Sequence, residues 1–182
     1  EKMGNTSVIA ETGCKVTIGS AETPESVRGS DAVMAHLSEV AFWPHTRLKS
    51  PESLIRSVCG SVALLPDSVV VMESTANGTG NYFHQECERA KRGESDKRFL
   101  FIPWFEIEMY SVPVEDYDAL ITSLTDYEKN LWDKGATLEA IAWYRMKRKE
   151  YRDHADMMAE YPSDDVEAFN HTGERVFDIR QV

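Results

Sequence analysis

Nowhere in this sequence do apolar residues run for the ~18 consecutive positions that a membrane-spanning helix needs. The first residues, Glu1-Lys2-Met3-Gly4-Asn5, lack the basic start and apolar middle of a signal peptide, so a soluble chain with no membrane partner is expected. Cysteine is scarce: Cys14, Cys59 and Cys87 are odd in number and far apart. That excludes a disulfide framework, suits a reducing cytoplasm and predicts structural, buried thiols. The five histidines, His36, His45, His84, His154 and His171, share no metal-site spacing with any cysteine or carboxylate, so no zinc site is predicted. Positive charge is short as well. A net charge of -11 and a pI near 4.9 argue against a standing DNA-binding surface, which needs clustered Lys and Arg. The one basic cluster, Arg145, Lys147, Arg148 and Lys149 with Arg152 nearby, sits in a helical pattern beside acidic residues and reads as a solvated face.

A phosphate-cradling G-x-x-x-x-G-K-[ST] loop is also missing; "TGCK", residues 12 to 15, lacks both the glycine spacing and the Ser or Thr after lysine. No cluster of carboxylates suited to a two-metal nuclease follows Asp178. Because Glu1 is not a natural start, the chain is expected to be a piece of a longer protein, cut on both sides.

What is present reads as alternating strand and helix. Val8-Ile9-Ala10 and Val16-Thr17-Ile18 flank "ETGCK", whose Gly13 lets the chain reverse into a β-hairpin. Val33 to Leu37 predicts a short strand that delivers Ser38 and Glu39 at its end. Ser50 with Pro51 starts a helix whose Leu54, Val58 and Val62 would face a sheet, with Pro66 as the stop. Val69-Val70-Val71-Met72, apolar on both faces, fits a central parallel strand. It is followed abruptly by "ESTANGTGNYF". Asn81 and Gly93 bracket a further helix, and Arg98 to Trp104 predicts another strand. "TDYE", residues 125 to 128, matches a capping box before a helix ending at Gly135, and a longer helix follows from Leu138. Tyr161-Pro162 breaks the pattern before a short helix and a final strand. The alternation predicts an α/β domain through residue 104, turning helical from Thr125, with a boundary between 105 and 124. Trp43, Trp104, Trp132 and Trp143 read as packing rather than base-stacking residues.

Ligands of open α/β sheets lie just beyond the carboxyl ends of the strands. Two such ends carry polar chemistry here, Ser38-Glu39 and Glu73-Ser74-Thr75. A carboxylate at one strand end can orient an attacking water while a neighbouring polar strand end senses a terminal phosphate. On the residues alone, the reading in which Glu39 caps the next segment is favoured.

Three segments resemble the large terminase subunit of tailed bacteriophages, the ATPase that drives DNA into the procapsid. "VRGSDAVMAHLSEVAFW", residues 27 to 43, is similar to that family's Arg-Gly segment and Walker B strand. "ESTANGTGNYFHQE", residues 73 to 86, resembles its coupling motif, and "AEYPSDDVEAFNHTGERVFD", residues 159 to 178, resembles the linker toward its nuclease domain. The resemblance implies a partial P-loop NTPase of the RecA-like class, a mostly parallel sheet with flanking helices over residues 1 to 110. A small helical linker subdomain would follow over 111 to 182, and the setting would be the host bacterial cytoplasm.

It further implies ATP and Mg²⁺ as cofactors of the intact protein, with neither expected to bind this chain by itself. Double-stranded DNA, the portal protein and the small terminase subunit would be the partners. Glu39 would be the catalytic glutamate that polarises water. Ser38 stands where the family usually has a magnesium-associated aspartate, a departure that leaves it an indirect role through a metal-bound water. Ser74 and Thr75 would lie beside the γ-phosphate and report its loss, while Asn77, Gly78 and Gly80 let the next loop change shape. Glu73 reads as structural. Arg28 reads either as an arginine finger at the phosphoryl-transfer site or as a loop salt bridge.

The implied P-loop strand would lie between strands 69 to 73 and 98 to 104. Its absence predicts that the gap is closed, by those strands meeting or by self-association through an edge. The rival reading is a non-catalytic interaction domain that docks a portal or capsid on a nucleotide-binding scaffold. A nuclease is disfavoured because Asp31, Glu39, Glu73 and Asp178 fall on different elements.

Overall fold

A computed structural model describes residues 2–3, 6–9, 11–22, 32–46, 50–63 and 65–171. The chain is mixed α/β and divides into two compact units, Glu1–Thr75 and Ala76–Val182. Among the described residues, the strands belong to the first and all but one of the α-helices to the second.

In the first unit, β1 (Lys2–Met3), β2 (Thr6–Ile9) and β3 (Cys14–Thr17) form an antiparallel sheet in chain order. The expected hairpin is β2–β3, and Gly13 turns it at φ 68°, a left-handed conformation in which glycine meets no Cβ penalty. Ile9, Val16 and Ile18 face solvent, and Val8 is half-buried. The second sheet is parallel. β4 (Met34–Leu37) pairs with β5 (Val69–Met72) in the register Met34↔Val69 to Leu37↔Met72, and α1 (Pro51–Cys59) lies between them in sequence. Parallel neighbours need such a crossover. The Ser50 hydroxyl accepts the Ser53 N–H at 3.2 Å to cap α1, with Pro51 at the first helical position as expected.

α1 ends earlier than the sequence suggests. Gly60 caps it, and Val62 leaves the helix to bridge Ala32 in parallel beside β4, so Pro51 and Ile55 are the residues α1 buries. Among the described residues of this unit, Leu37, Val40, Ala41, Pro51 and Ile55 are the buried apolar ones.

The expected strand at Arg98 to Trp104 does not form. Arg98–Pro103 runs without ladder hydrogen bonds, with Leu100 80% and Ile102 62% exposed, and Trp104 opens a 3₁₀ turn through Glu106. A strand exists only by pairing, and β5 finds no second partner among the described residues, where the parallel sheet has just two strands. The final strand expected after residue 171 lies outside the described residues.

The second unit is a helical assembly of α2 (Tyr82–Lys91), α3 (Tyr117–Thr122), α4 (Asp126–Asp133), α5 (Leu138–Arg148), α6 (His154–Glu160) and α7 (Asp165–His171). Its core gathers Trp104, Leu124, Leu131, Ala136, Ile141, Trp143, Tyr144 and Met157, with Tyr110 stacked on Trp143 at 4.6 Å between ring centroids. Asn81 caps α2, and Gly93 follows it at φ 71°. The "TDYE" capping box is complete: the Thr125 hydroxyl accepts the Glu128 N–H, and the Glu128 carboxylate accepts the Thr125 N–H at 2.8 Å.

The same carboxylate is gripped at both oxygens by Arg145, through Nε at 2.5 Å and a terminal nitrogen at 2.8 Å. Arg145 also donates to the Ser123 carbonyl at 2.7 Å. With Lys147 on Glu150 and Arg148 on the Tyr151 carbonyl, three members of the basic cluster are engaged within the unit. Trp104 and Trp143 pack in the core as expected, whereas Trp132 is 43% exposed. Of the cysteines only Cys87 is buried; burial, then the charges of Asp165, Glu88 and Glu86, push its thiol up to about 11, while Cys14 is exposed. Among the described residues no helix is long and apolar enough to cross a membrane.

Candidate functional site

β4 and β5 end together, and the residues just past both ends meet. The ladder continues beyond the strands: the Glu73 N–H donates to the Leu37 carbonyl at 2.9 Å, and the Val40 N–H returns to the Glu73 carbonyl at 3.2 Å. These two bonds set the segment after β4 directly beside the segment after β5. Between them Glu39 adopts φ 54° and ψ 43°, and it is the one described residue other than glycine with positive φ. A bulky side chain in this left-handed region costs on the order of 1–3 kcal/mol and persists only where its surroundings enforce it.

The enforcement is visible. The Ser74 hydroxyl donates to Glu39 Oε2 at 3.2 Å and accepts the Ala41 N–H at 3.1 Å. Thr75 Oγ1 donates to the same Glu39 Oε2 at 3.2 Å. Val40 and Ala41, buried in the 3₁₀ turn that Glu39 introduces, anchor the loop from below.

One carboxylate oxygen thus holds two hydroxyl donors, and the other, Oε1, has no hydrogen bond to the described residues. A carboxylate fixed through one oxygen and open at the other can accept a proton from, or orient, a water at the open oxygen. Glu39 and Thr75 are exposed and Ser74 is half-buried, so water reaches the group directly.

The sequence singled out Glu39, Ser38, Ser74 and Thr75, and the fold brings Glu39, Ser74 and Thr75 into hydrogen-bond contact. Ser38 contributes differently: its carbonyl accepts the Trp43 indole N–H at 2.9 Å, which pins the turn on its far side. Sequence reasoning took Trp43 for packing and missed this tie, as it missed the Ala41 N–H. Neither carries a signal of its own, since both depend on the turn after Glu39. Glu73, read as structural, makes both ladder bonds through its backbone, and its side chain meets His36 Nε2 at 3.2 Å.

Asn77 and Gly78 belong to the second unit, where their carbonyls accept the Asn81 side-chain amide at 2.9 and 3.2 Å in the turn before α2. Gly78 and Gly80 sit there at φ 67° and 86°. Arg28 lies outside the described residues. Among the described residues no group of three or more His, Cys, Asp or Glu side chains could hold a metal ion. Compared with known proteins, the chain matches no family model, no curated protein and no solved structure.

Proposed function

We propose that this chain is part of the large terminase subunit of a tailed bacteriophage, an ATPase motor that translocates double-stranded DNA into the procapsid. The observation that carries the reading is the contact of Glu39 Oε2 with the Ser74 and Thr75 hydroxyls, at the carboxyl ends of two neighbouring parallel strands. Nucleotide hydrolysis needs a carboxylate that orients water and a neighbour that registers the terminal phosphate. In this reading Glu39 orients water with its open oxygen, and Ser74 and Thr75 couple the position of that carboxylate to β5.

ATP with Mg²⁺ is the cofactor the reading requires, and it supplies the phosphoryl group when bound. The residues present fit the water side of that reaction only. Phosphate affinity in P-loop enzymes comes from backbone N–H groups of a glycine-rich loop and its lysine, and the sequence holds no such loop. Ser38, in place of an aspartate, leaves no acidic group next to Glu39 in the segment after β4 for direct Mg²⁺ coordination. The neighbouring part of the ATPase, and with it the portal and small-subunit contacts, would come from outside this sequence.

A second reading has its own support. Met34, Val69 and Val71 share one face of the β4–β5 sheet and are 58%, 44% and 38% exposed, which favours a module that docks a portal or capsid. The two separate on one assay. In the intact protein, Thr75→Ala is expected to leave ATP hydrolysis running while translocation per ATP falls, because the hydroxyl that reports on Glu39 is gone. Packaging at an unchanged rate per ATP contradicts the motor reading.

A further inference from the structure

Glu39 is held in its left-handed conformation from two sides. The Ser74 and Thr75 hydroxyls hold the carboxylate, and Trp43 holds the main chain. The Trp43 indole Nε1–H donates to the Ser38 carbonyl at 2.9 Å, and its backbone N–H donates to the Val40 carbonyl at 3.2 Å. The Phe42 N–H donates to the Glu39 carbonyl at 3.0 Å. Three successive carbonyls, those of Ser38, Glu39 and Val40, are thus occupied from Phe42 and Trp43.

These bonds differ in what they control. Those to Glu39 and Val40 close the 3₁₀ turn and leave the peptide before Glu39 untouched. The φ of Glu39, 54°, is set by the orientation of the Ser38–Glu39 peptide, the plane that carries the Ser38 carbonyl. Rotation of that plane takes φ to the negative values a glutamate prefers and turns the Ser38 carbonyl away from the indole. The Glu39 N–H, on the same plane, donates to no described residue. Among the described residues, the indole is therefore the one group that opposes the rotation through the main chain. Rotation also redirects the Glu39 Cα–Cβ bond, carrying the carboxylate off the Ser74 and Thr75 hydroxyls. Small displacements of a reacting group cost rate steeply.

We propose that Trp43 is a positioning residue for Glu39: its indole N–H latches the Ser38–Glu39 peptide in the orientation that aims the carboxylate at the attacking water. This rests on the reading of Glu39 as the group that orients water in nucleotide hydrolysis. The strain of the held form is comparable to the worth of one hydrogen bond, so losing the indole donor tips the balance toward the rotated peptide.

Trp43→Phe keeps an aromatic ring and deletes the donor. On the 182-residue chain, the readout is the intraresidue amide–Hα cross-peak of Glu39 in proton Overhauser spectra, which is strong at positive φ and weak at negative φ. It should be strong in the native chain and weak in the variant. A weak native cross-peak, or one of native strength in Trp43→Phe, overturns the latch. Should the phenylalanine variant not fold, the benzothiophene isostere of tryptophan at position 43 keeps the two-ring shape and lacks only the N–H, and the same outcomes decide.

In the intact protein, Trp43→Phe should lower ATP turnover about tenfold with nucleotide affinity unchanged. Added to Glu39→Gln it should cost nothing further, because Trp43 acts through the Glu39 carboxylate. Unchanged turnover in Trp43→Phe, or a full tenfold loss on the Glu39→Gln background, overturns the positioning role. Native turnover in Glu39→Gln alone refutes the reading of Glu39 itself and the positioning role with it, while the cross-peak still decides the latch.

Discussion

Glu39 unites the chemistry of the site with its strain. Its left-handed backbone would relax if its ties were cut, and those ties are unequal. Ser74 both donates to the Glu39 carboxylate and accepts the Ala41 N–H, while the exposed Thr75 hydroxyl, among the described residues, bonds the carboxylate alone. Ser74→Ala should therefore lower the opening free energy of the Val40 and Glu73 amides by about 1–2 kcal/mol, and Thr75→Ala by less than about 1 kcal/mol. Hydrogen exchange at those two amides checks this; equal effects would mean that Ser74 does not tie the turn. Glu39, Ser74 and Thr75 were legible in the sequence because each lies within a few residues of the end of an apolar run, and strand ends are where an α/β fold exposes polar groups. The positive φ of Glu39 was not legible, because glutamate carries no preference for it. The pinning of Ser38 by Trp43 was hidden for a related reason: it exists only once that turn has formed.

Among the elements, local signals were read well and non-local ones poorly. Ser50, Asn81, Thr125 with Glu128, Gly93 and Gly135 mark helix ends through bonds or dihedrals confined to a few residues, and each stands where the sequence put it. Arg98 to Pro103 has the composition of a strand but no strand partner among the described residues, and Val62 leaves the helical pattern to pair beside Ala32; neither is decided by nearby residues.

The α4–α5 contact shows a capping glutamate recruited into tertiary structure. Burial by itself would raise the Glu128 carboxyl, but the Arg145 guanidinium and the Thr125 N–H and hydroxyl outweigh it and hold it below its ordinary 4.5. A depressed carboxyl stabilises the fold above its unfolded-state pKa, and that stability is lost as pH falls from about 4.5 through the folded value. Arg145→Met leaves the buried carboxylate without its cation. It should cost about 2–3 kcal/mol at neutral pH, with the difference from the native chain narrowing below pH 4.5. Urea titrations at neutral and acid pH measure both; a pH-independent loss would mean that Arg145 acts by packing.

At the scale of the whole molecule, stability and chemistry are divided. The aromatic core around Trp104, Ile141, Trp143 and Tyr144 lies in the second unit, whereas the candidate site rests on Leu37, Val40, Ala41 and Ile55 and two short parallel strands in the first. The sequence indicated alternating α/β structure followed by helices, and both are present, but it could not reveal how few strands would pair. Sheet size depends on which segments meet, and an apolar run does not encode its neighbour. The net charge is -11, and Arg145, Lys147 and Arg148 are engaged in local contacts. The motor reading therefore rests on Glu39. The measurement that tests it most directly is ATP turnover and nucleotide binding compared in one preparation of the intact protein carrying Glu39→Gln. Loss of turnover by about 100-fold or more with binding retained is the predicted result, since the amide keeps the shape of the side chain but cannot act as a carboxylate toward water. Turnover at the native rate would contradict it.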